Sequence, residues 1–197
     1  MKVIDILEDA NPLVKIILIL LLQKNKEKIP GKLWLQKELY VILKNLKTVT
    51  AEEIYEPHLL GQFSEDAEVA VEQIGMMGLL DPMKSGFNLS EKGEEVAKEA
   101  LKEFSQESLQ FIEEIKEFLN DMKENDLLGY IYYTYPEMAV NSIKKQEIEQ
   151  KRVEIAIQLY LKEKISIGKA VELAGIKRID LIKLLRKKDS SLEIYAE

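Results

Sequence analysis

The chain has 197 residues, 46% hydrophobic and 32% charged, with a net charge of −7. That length and balance fit a globular protein of one large or two small domains rather than a disordered one. The absence of cysteine excludes disulfides, thiolate metal sites and cysteine nucleophiles, and a single histidine, His58, excludes His-pair metal motifs and argues against a catalytic triad. Abundant Glu, Lys and Ile without Cys suit a thermophile.

Almost every segment has helical periodicity. The run Leu13 to Leu22 is nearly unbroken and apolar, but Lys15 interrupts it. It is shorter than the roughly 20 residues of a membrane span. It also lacks the leading basic residues and cleavage site of a signal peptide. A buried core helix and a cytoplasmic location are therefore expected. Asn11 and Pro12 supply an N-cap and a first helical position, and this helix should run to about Asn25. After Pro30-Gly31, a second helix is expected over Leu33 to Leu46, with Leu35, Leu39, Ile42, Leu43 and Leu46 on one stripe and Trp34 and Tyr40 near its margins. Residues 47–60, with Pro57 and His58, read as a loop or a broken helix.

Ser64-Glu65-Asp66 opens a third helix, capped by Ser64 and ended by Gly78. Leu79-Leu80-Asp81-Pro82, a turn at Ser85-Gly86 and Phe87-Asn88-Leu89 read as two short strands, a β-wing. Ser90 caps the next helix. A long helix is expected from Ser105 to about Asn125, with Ile112, Ile115, Phe118 and Leu119 on one face and Glu113, Glu114 and Glu117 mostly on the other. Those acids read as a solvated face rather than a cation site. The aromatic run Tyr130, Tyr132, Tyr133, Tyr135 stops at Pro136 and suits core packing or an oligomer interface more than base stacking. Residues 143–151 are charged and read as a solvated helix or a linker, with 143–150 taken as the linker between domains. The expected domains are thus 1–142, a winged-helix domain with following helices, and 151–197, a helix-turn-helix.

Charge supports that cut. Residues 151–197 carry 11 Lys/Arg against 7 Asp/Glu, a net of +4, which leaves −11 on residues 1–150. Within the basic part, Ser166 should cap a short helix, Ala170 and Ala174 should permit a close helix crossing, and Gly175 should supply a turn with positive φ. Ile176, Leu181, Leu184 and Leu185 should face inward. Lys177, Arg178, Lys183 and Arg186 should then project outward, with Ile179 and Ile182 nearby. In a module docked on double-stranded DNA, the start of this second helix enters the major groove. Arg178 suits guanine O6 and N7, Lys169 and Lys177 suit phosphates, and Lys183, Arg186, Lys187 and Lys188 extend the basic face. Asp180 opposes phosphate unless it pairs with Arg178 or Lys183. The alternative is a three-helix packing element that never touches DNA.

These segments also resemble known families. Gly78-Leu79-Leu80 and Leu89-Ser90-Glu91-Lys92-Gly93 resemble the wing of prokaryotic winged-helix regulators. Leu35 through Tyr40, Tyr55-Glu56-Pro57-His58 and Tyr135-Pro136-Glu137 are similar to motifs of the Panacea-related family, with Glu56 in place of its glycine. Ala156 through Tyr160 and Lys164 through Gly175 resemble the antitoxin-like uncharacterised protein family 0175, with Glu163 where that family often has glycine and Val171 in place of its second alanine. The resemblance implies a DNA-binding or antitoxin-like regulator.

The expectation is a mainly α protein that binds specific DNA as a homodimeric transcription regulator, with the helix at 105–125 as dimer element. The alternative is an antitoxin-like or adaptor protein that holds a partner protein through its acidic N-terminal domain, since Glu65, Asp66, Glu68 and Glu72 repel phosphates. No acid, base and nucleophile assemble, and no phosphate loop or zinc motif occurs, so neither an enzyme nor a cofactor nor a metal is expected.

Overall fold

A computed structural model describes residues 3–8, 10–46, 54–56 and 61–188. The loop expected at 47–60 lies largely outside these, and His58 and Pro57 with it. Contacts divide the chain into two compact units: residues 1–56 with 63–121 form unit 1, and residues 57–62 with 122–197 form unit 2. Among the described residues no helix is long and apolar enough to cross a membrane.

Unit 1 contains α1 (Val3–Glu8), α2 (Pro12–Lys26), α3 (Lys32–Leu46), α4 (Glu65–Met76), α5 (Glu91–Ala100) and α6 (Gln106–Leu119). Asn11 caps α2 by accepting the Leu13 N–H at 2.9 Å. Helix α2 packs against α4, α5 and α6, which is why its apolar run continues around the helix: Leu13, Val14 and Ile16 to Leu21 are all buried. Lys15 reaches out to Glu103 at 2.7 Å. Regular helix ends sooner than Asn25, because Gln23, Lys24 and Asn25 leave helical backbone and Lys24, Asn25 and Lys26 take positive φ. The ammonium of Lys116, from α6, donates to the carbonyls of Leu21 and Gln23 at 3.1 and 3.0 Å and satisfies that helix end.

Helix α3 is more deeply enclosed than a one-sided stripe implies. Every residue from Leu35 to Leu43 is buried, including Tyr40, Gln36, Lys37 and Glu38. The Gln36 amide makes two 3.0 Å bonds with the backbone of Ser64, one given and one received. Ser64 in turn caps α4 by accepting the Ala67 N–H. Among the described residues neither Glu38 carboxyl oxygen has a hydrogen-bond partner, and burial pushes that carboxyl well above the usual range despite the nearby Lys116 charge. Burial also lowers Lys37 to about 7 and Lys116 to about 8.

The winged-helix expectation fails here. No strand forms among the described residues; only isolated antiparallel bridges occur, Leu80 with Leu89, Ile29 with Phe87 and Glu56 with Phe63. The arms of the expected wing are too short. Asp81 folds back at once to accept the Met83 N–H, and Pro82 removes a ladder donor. The return arm is also diverted: Phe87 exchanges both backbone hydrogen bonds with Ile29, in the α2–α3 connection, at 2.9 and 3.1 Å. Gly86 permits this close approach, since a Cβ there would lie 2.4 Å from the Ile29 carbonyl oxygen. The mainly helical class stands; the β-wing does not.

The helix expected from Ser105 to about Asn125 ends sooner, at Leu119, and a separate helix begins at Glu124. Ser105 caps α6 through the Ser108 N–H, but α6 stops at Leu119. Asn120 is buried there and donates its side-chain amide to the Lys28 carbonyl at 2.9 Å. The chain passes from unit 1 to unit 2 immediately afterwards.

Unit 2 contains α7 (Glu124–Thr134), a 3-10 turn at Pro136–Ala139, α8 (Lys145–Leu161), α9 (Ile167–Ala174) and α10 (Arg178–Lys188). Helix α8 packs against α7 and α9, and α9 also packs against α10. The aromatic run forms the last turns of α7; Tyr132 is buried, with its hydroxyl 2.7 Å from that of Ser142. Of the two readings of residues 143–151, a solvated helix or a linker, the helix forms: residues 145–150 are the opening turns of α8.

Candidate nucleic-acid interface

Helix α8 ends in a tight reversal. The Lys164 N–H bonds to the Leu159 carbonyl and the Glu163 N–H to that of Tyr160, both at 2.9 Å, a Schellman arrangement with Glu163 at φ 58°. This left-handed backbone is the physical reason a glycine suits position 163. Ser166 then caps α9, accepting the Lys169 N–H at 3.2 Å. Ala170, Leu173 and Ala174 are buried, and Ala156 and Leu159 of α8 are fully enclosed, so the support surface forms with Tyr160 at its half-buried margin. Gly175 ends α9 at φ 64°, ψ 27°. Only Ile176 and Lys177 separate it from Arg178, the first residue of α10. The Lys177 carbonyl accepts the Asp180 and Leu181 N–H groups at 3.0 and 3.1 Å and starts that helix.

Helix α10 lies on Leu181, Ile182 and Leu185, all buried. The inward register differs by a small rotation from the expected one. Ile182 turns in, whereas Leu184, expected inside, is 39% exposed; Ile176 is half-buried. A stripe at i, i+1 and i+4 thus contacts the support, and Ile179, Asp180, Lys183 and Lys187 occupy the opposite side.

The site residues read from the sequence fall as follows. Lys177, Arg178, Lys183, Arg186, Lys187 and Lys188 are exposed, and all but Lys177 belong to the eleven residues of α10, which hold one acid. That acid, Asp180, is 3.6 Å from Lys183, an exposed pair worth little in water. Lys169 is half-buried on α9 and engaged with Glu172 at 3.0 Å, so it stands apart from the α10 cluster. Arg186, Lys187 and Lys188 also complement the negative end of the helix dipole, a structural reason for part of this charge.

One residue that the sequence reading did not single out holds the turn. Arg152 of α8 donates Nε–H to the Leu173 carbonyl at 2.9 Å, at the end of α9. No local spacing links 152 to 173; the available signals were the glycine at 175 and the nearby aromatic run. A separate cleft of about 600 Å³ lies between the start of α7 and α8. Three of the four lysines that line it meet acids: Lys144 with Glu124 and Glu147, Lys151 with Glu147, and Lys162 with Asp126 at 2.8 Å. It reads as an ion-pair seam. Among the described residues no group of three or more His, Asp or Glu could hold a metal ion.

Residues 129–197 match the model of an uncharacterised protein family, UPF0175. The match supports the resemblance read from residues 156–175 and extends it back into α7, so it takes in the end of α7, α8, α9 and α10. No curated protein and no solved structure matches the chain. The likeness of unit 1 to Panacea-related regulators is carried by none of these comparisons. The C-terminal 69 residues are thus similar to a family whose function is uncharacterised.

Proposed function

We propose that unit 2 binds double-stranded DNA through α10, as the reading module of an antitoxin-like transcription regulator acting as a homodimer. The observation that carries this reading is the basic, solvent-facing α10 presented by a short helix and a glycine turn in an otherwise acidic chain. A two- or three-residue connection containing glycine, followed by a helix with an exposed N-terminal turn, suits insertion in a major groove. Arg178 at that first turn is the base-edge reader, and Lys183 and Lys187 face phosphate. The test is selection from a random duplex pool by the intact protein. An enriched base pattern that blurs in Arg178→Ala supports the reading, and an unselected pool refutes it.

A second reading has one observation in its favour. Helix α4 carries Glu65, Asp66, Glu68 and Glu72 with no basic residue, and Val69 and Met76, seven apart, are 51% and 85% exposed. That face suits a basic protein partner. A partner held by the intact protein and released by Glu72→Lys with Met76→Lys supports it; retention in that variant removes α4 as the surface.

A further inference from the structure

Four parts of unit 2 converge on one guanidinium. Arg152 donates Nε–H to the Leu173 carbonyl at 2.9 Å and Nη2–H to that of Glu172 at 3.5 Å, so it ties off acceptors that the end of α9 leaves without helical partners. Its Nη1–H donates to Glu149 Oε1 at 3.0 Å, one turn back on α8. Its planar face lies 4.4 Å from the centre of the Tyr133 ring, on α7. The Tyr133 hydroxyl donates to the other oxygen of Glu149 and closes the ring of contacts. Burial, and then this carboxylate, push the phenol up to about 12, so it remains a donor across ordinary pH. The turn leaves room for the arrangement: a Cβ on Gly175 would come within 2.7 Å of Arg152 Cζ and Nη2. Glycine at 175 thus serves both the positive φ and the seat of the arginine.

We propose that Arg152 is a positioning residue that clamps the α9–α10 turn and thereby sets the angle at which α10 meets DNA. The second half of this statement rests on the DNA-binding reading. Arg152 gives three of its five N–H groups to two backbone carbonyls and a carboxylate, and its face to an aromatic ring. Its effect on DNA therefore passes through the turn rather than through a phosphate. Lysine cannot replace it, because a point charge lacks both the planar fork and the stacking face.

The experiment uses the intact protein as wild type and as Arg152→Lys, Arg152→Met, Gly175→Ala and Lys187→Ala. Amide hydrogen exchange over residues 173–181 is followed without DNA, and duplex affinity is measured over a salt series. The clamp predicts that both Arg152 variants and Gly175→Ala exchange faster over 173–181 by about tenfold, with exchange elsewhere in α7 and α8 preserved. It also predicts a loss of duplex affinity in Arg152→Lys of about tenfold at an unchanged slope of log K against log salt, whereas Lys187→Ala lowers that slope by about 1 and leaves exchange unchanged. Wild-type exchange in Arg152→Lys overturns the clamp, and a slope lowered by about 1 in that variant makes Arg152 a phosphate contact instead. Should Arg152→Met not fold, Arg152→Lys, which keeps the charge and most of the stem, decides the matter. If the wild type binds no duplex, the DNA half falls, while the exchange arm still decides the clamp.

Discussion

Unit 1 encloses Lys37, Glu38 and Lys116 at 1%, 0% and 0% exposure, whereas unit 2 leaves Lys177, Arg178, Lys183, Lys187 and Lys188 in solvent along and beside α10. The two units therefore use charge for different ends. An enclosed charge cannot meet a partner, and its worth is internal: Lys116 satisfies the end of α2. An exposed row contributes little to folding but keeps its field available to an anion. The contrast extends to single helices. Both α4 and α10 are short and exposed on one side, yet α4 carries four acids and no base and α10 five bases and one acid. Only the second can approach phosphate without repulsion.

The sharpest way to break the comparison is to remove an enclosed charge. Lys37 is lowered to about 7 by burial, so the unfolded chain binds more protons between about pH 7 and its ordinary 10.5. Stability should therefore rise with pH across that window, with the full penalty present below it. Lys37→Met should stabilise the protein at pH 6 by on the order of a few kcal/mol, a gain that shrinks toward pH 10.5, read by denaturant unfolding. Glu38 has the opposite sign, since burial raises its carboxyl and stability is lost as pH rises above its ordinary range. Glu38→Gln should thus gain most at high pH and nothing near pH 4. Identical pH profiles for the two variants would contradict the account of unit 1. In unit 2, Lys187→Met should change stability by no more than about 0.5 kcal/mol, as surface substitutions do.

Smaller effects sharpen the account of unit 2. Ser166→Ala removes the hydroxyl that receives the Lys169 N–H and should cost about 1 kcal/mol in thermal unfolding. Glu163→Gly relieves a left-handed backbone and should stabilise by about 0.5–1 kcal/mol, the balance of strain removed and chain entropy added. A loss of stability in that variant would mean that the Glu163 side chain contributes more than its backbone costs.

How much of this was legible follows from the range over which each feature is determined. The caps at Asn11, Ser64, Ser90 and Ser166 and the turn at Gly175 depend on neighbours within a few residues, and all form where the sequence places them. The exposed basic residues of α10 were legible for the same reason. The wing was not, because whether Phe87 pairs across its own turn or with Ile29 is settled by a segment about sixty residues upstream. The break after Leu119 depends on the carbonyl of Lys28, and the enclosure of α3 on segments remote in sequence, among them α6 and the Ser64 backbone. Polar letters at helical spacing carry no mark that distinguishes a wet face from a covered one. Arg152 is the same problem in the candidate site: its partners come from Tyr133 and Leu173, on other helices.

The most direct measurement is duplex affinity of the intact protein across a salt series, beside a Lys183→Ala/Lys187→Ala variant and a Glu65→Ala/Glu72→Ala variant. The account predicts binding that weakens with salt. The α10 variant should bind more weakly, with a slope lowered by about 2, and the α4 variant should bind as tightly as wild type or tighter. Equal slopes for wild type and the α10 variant, or no duplex binding at low salt by a folded protein, would contradict it.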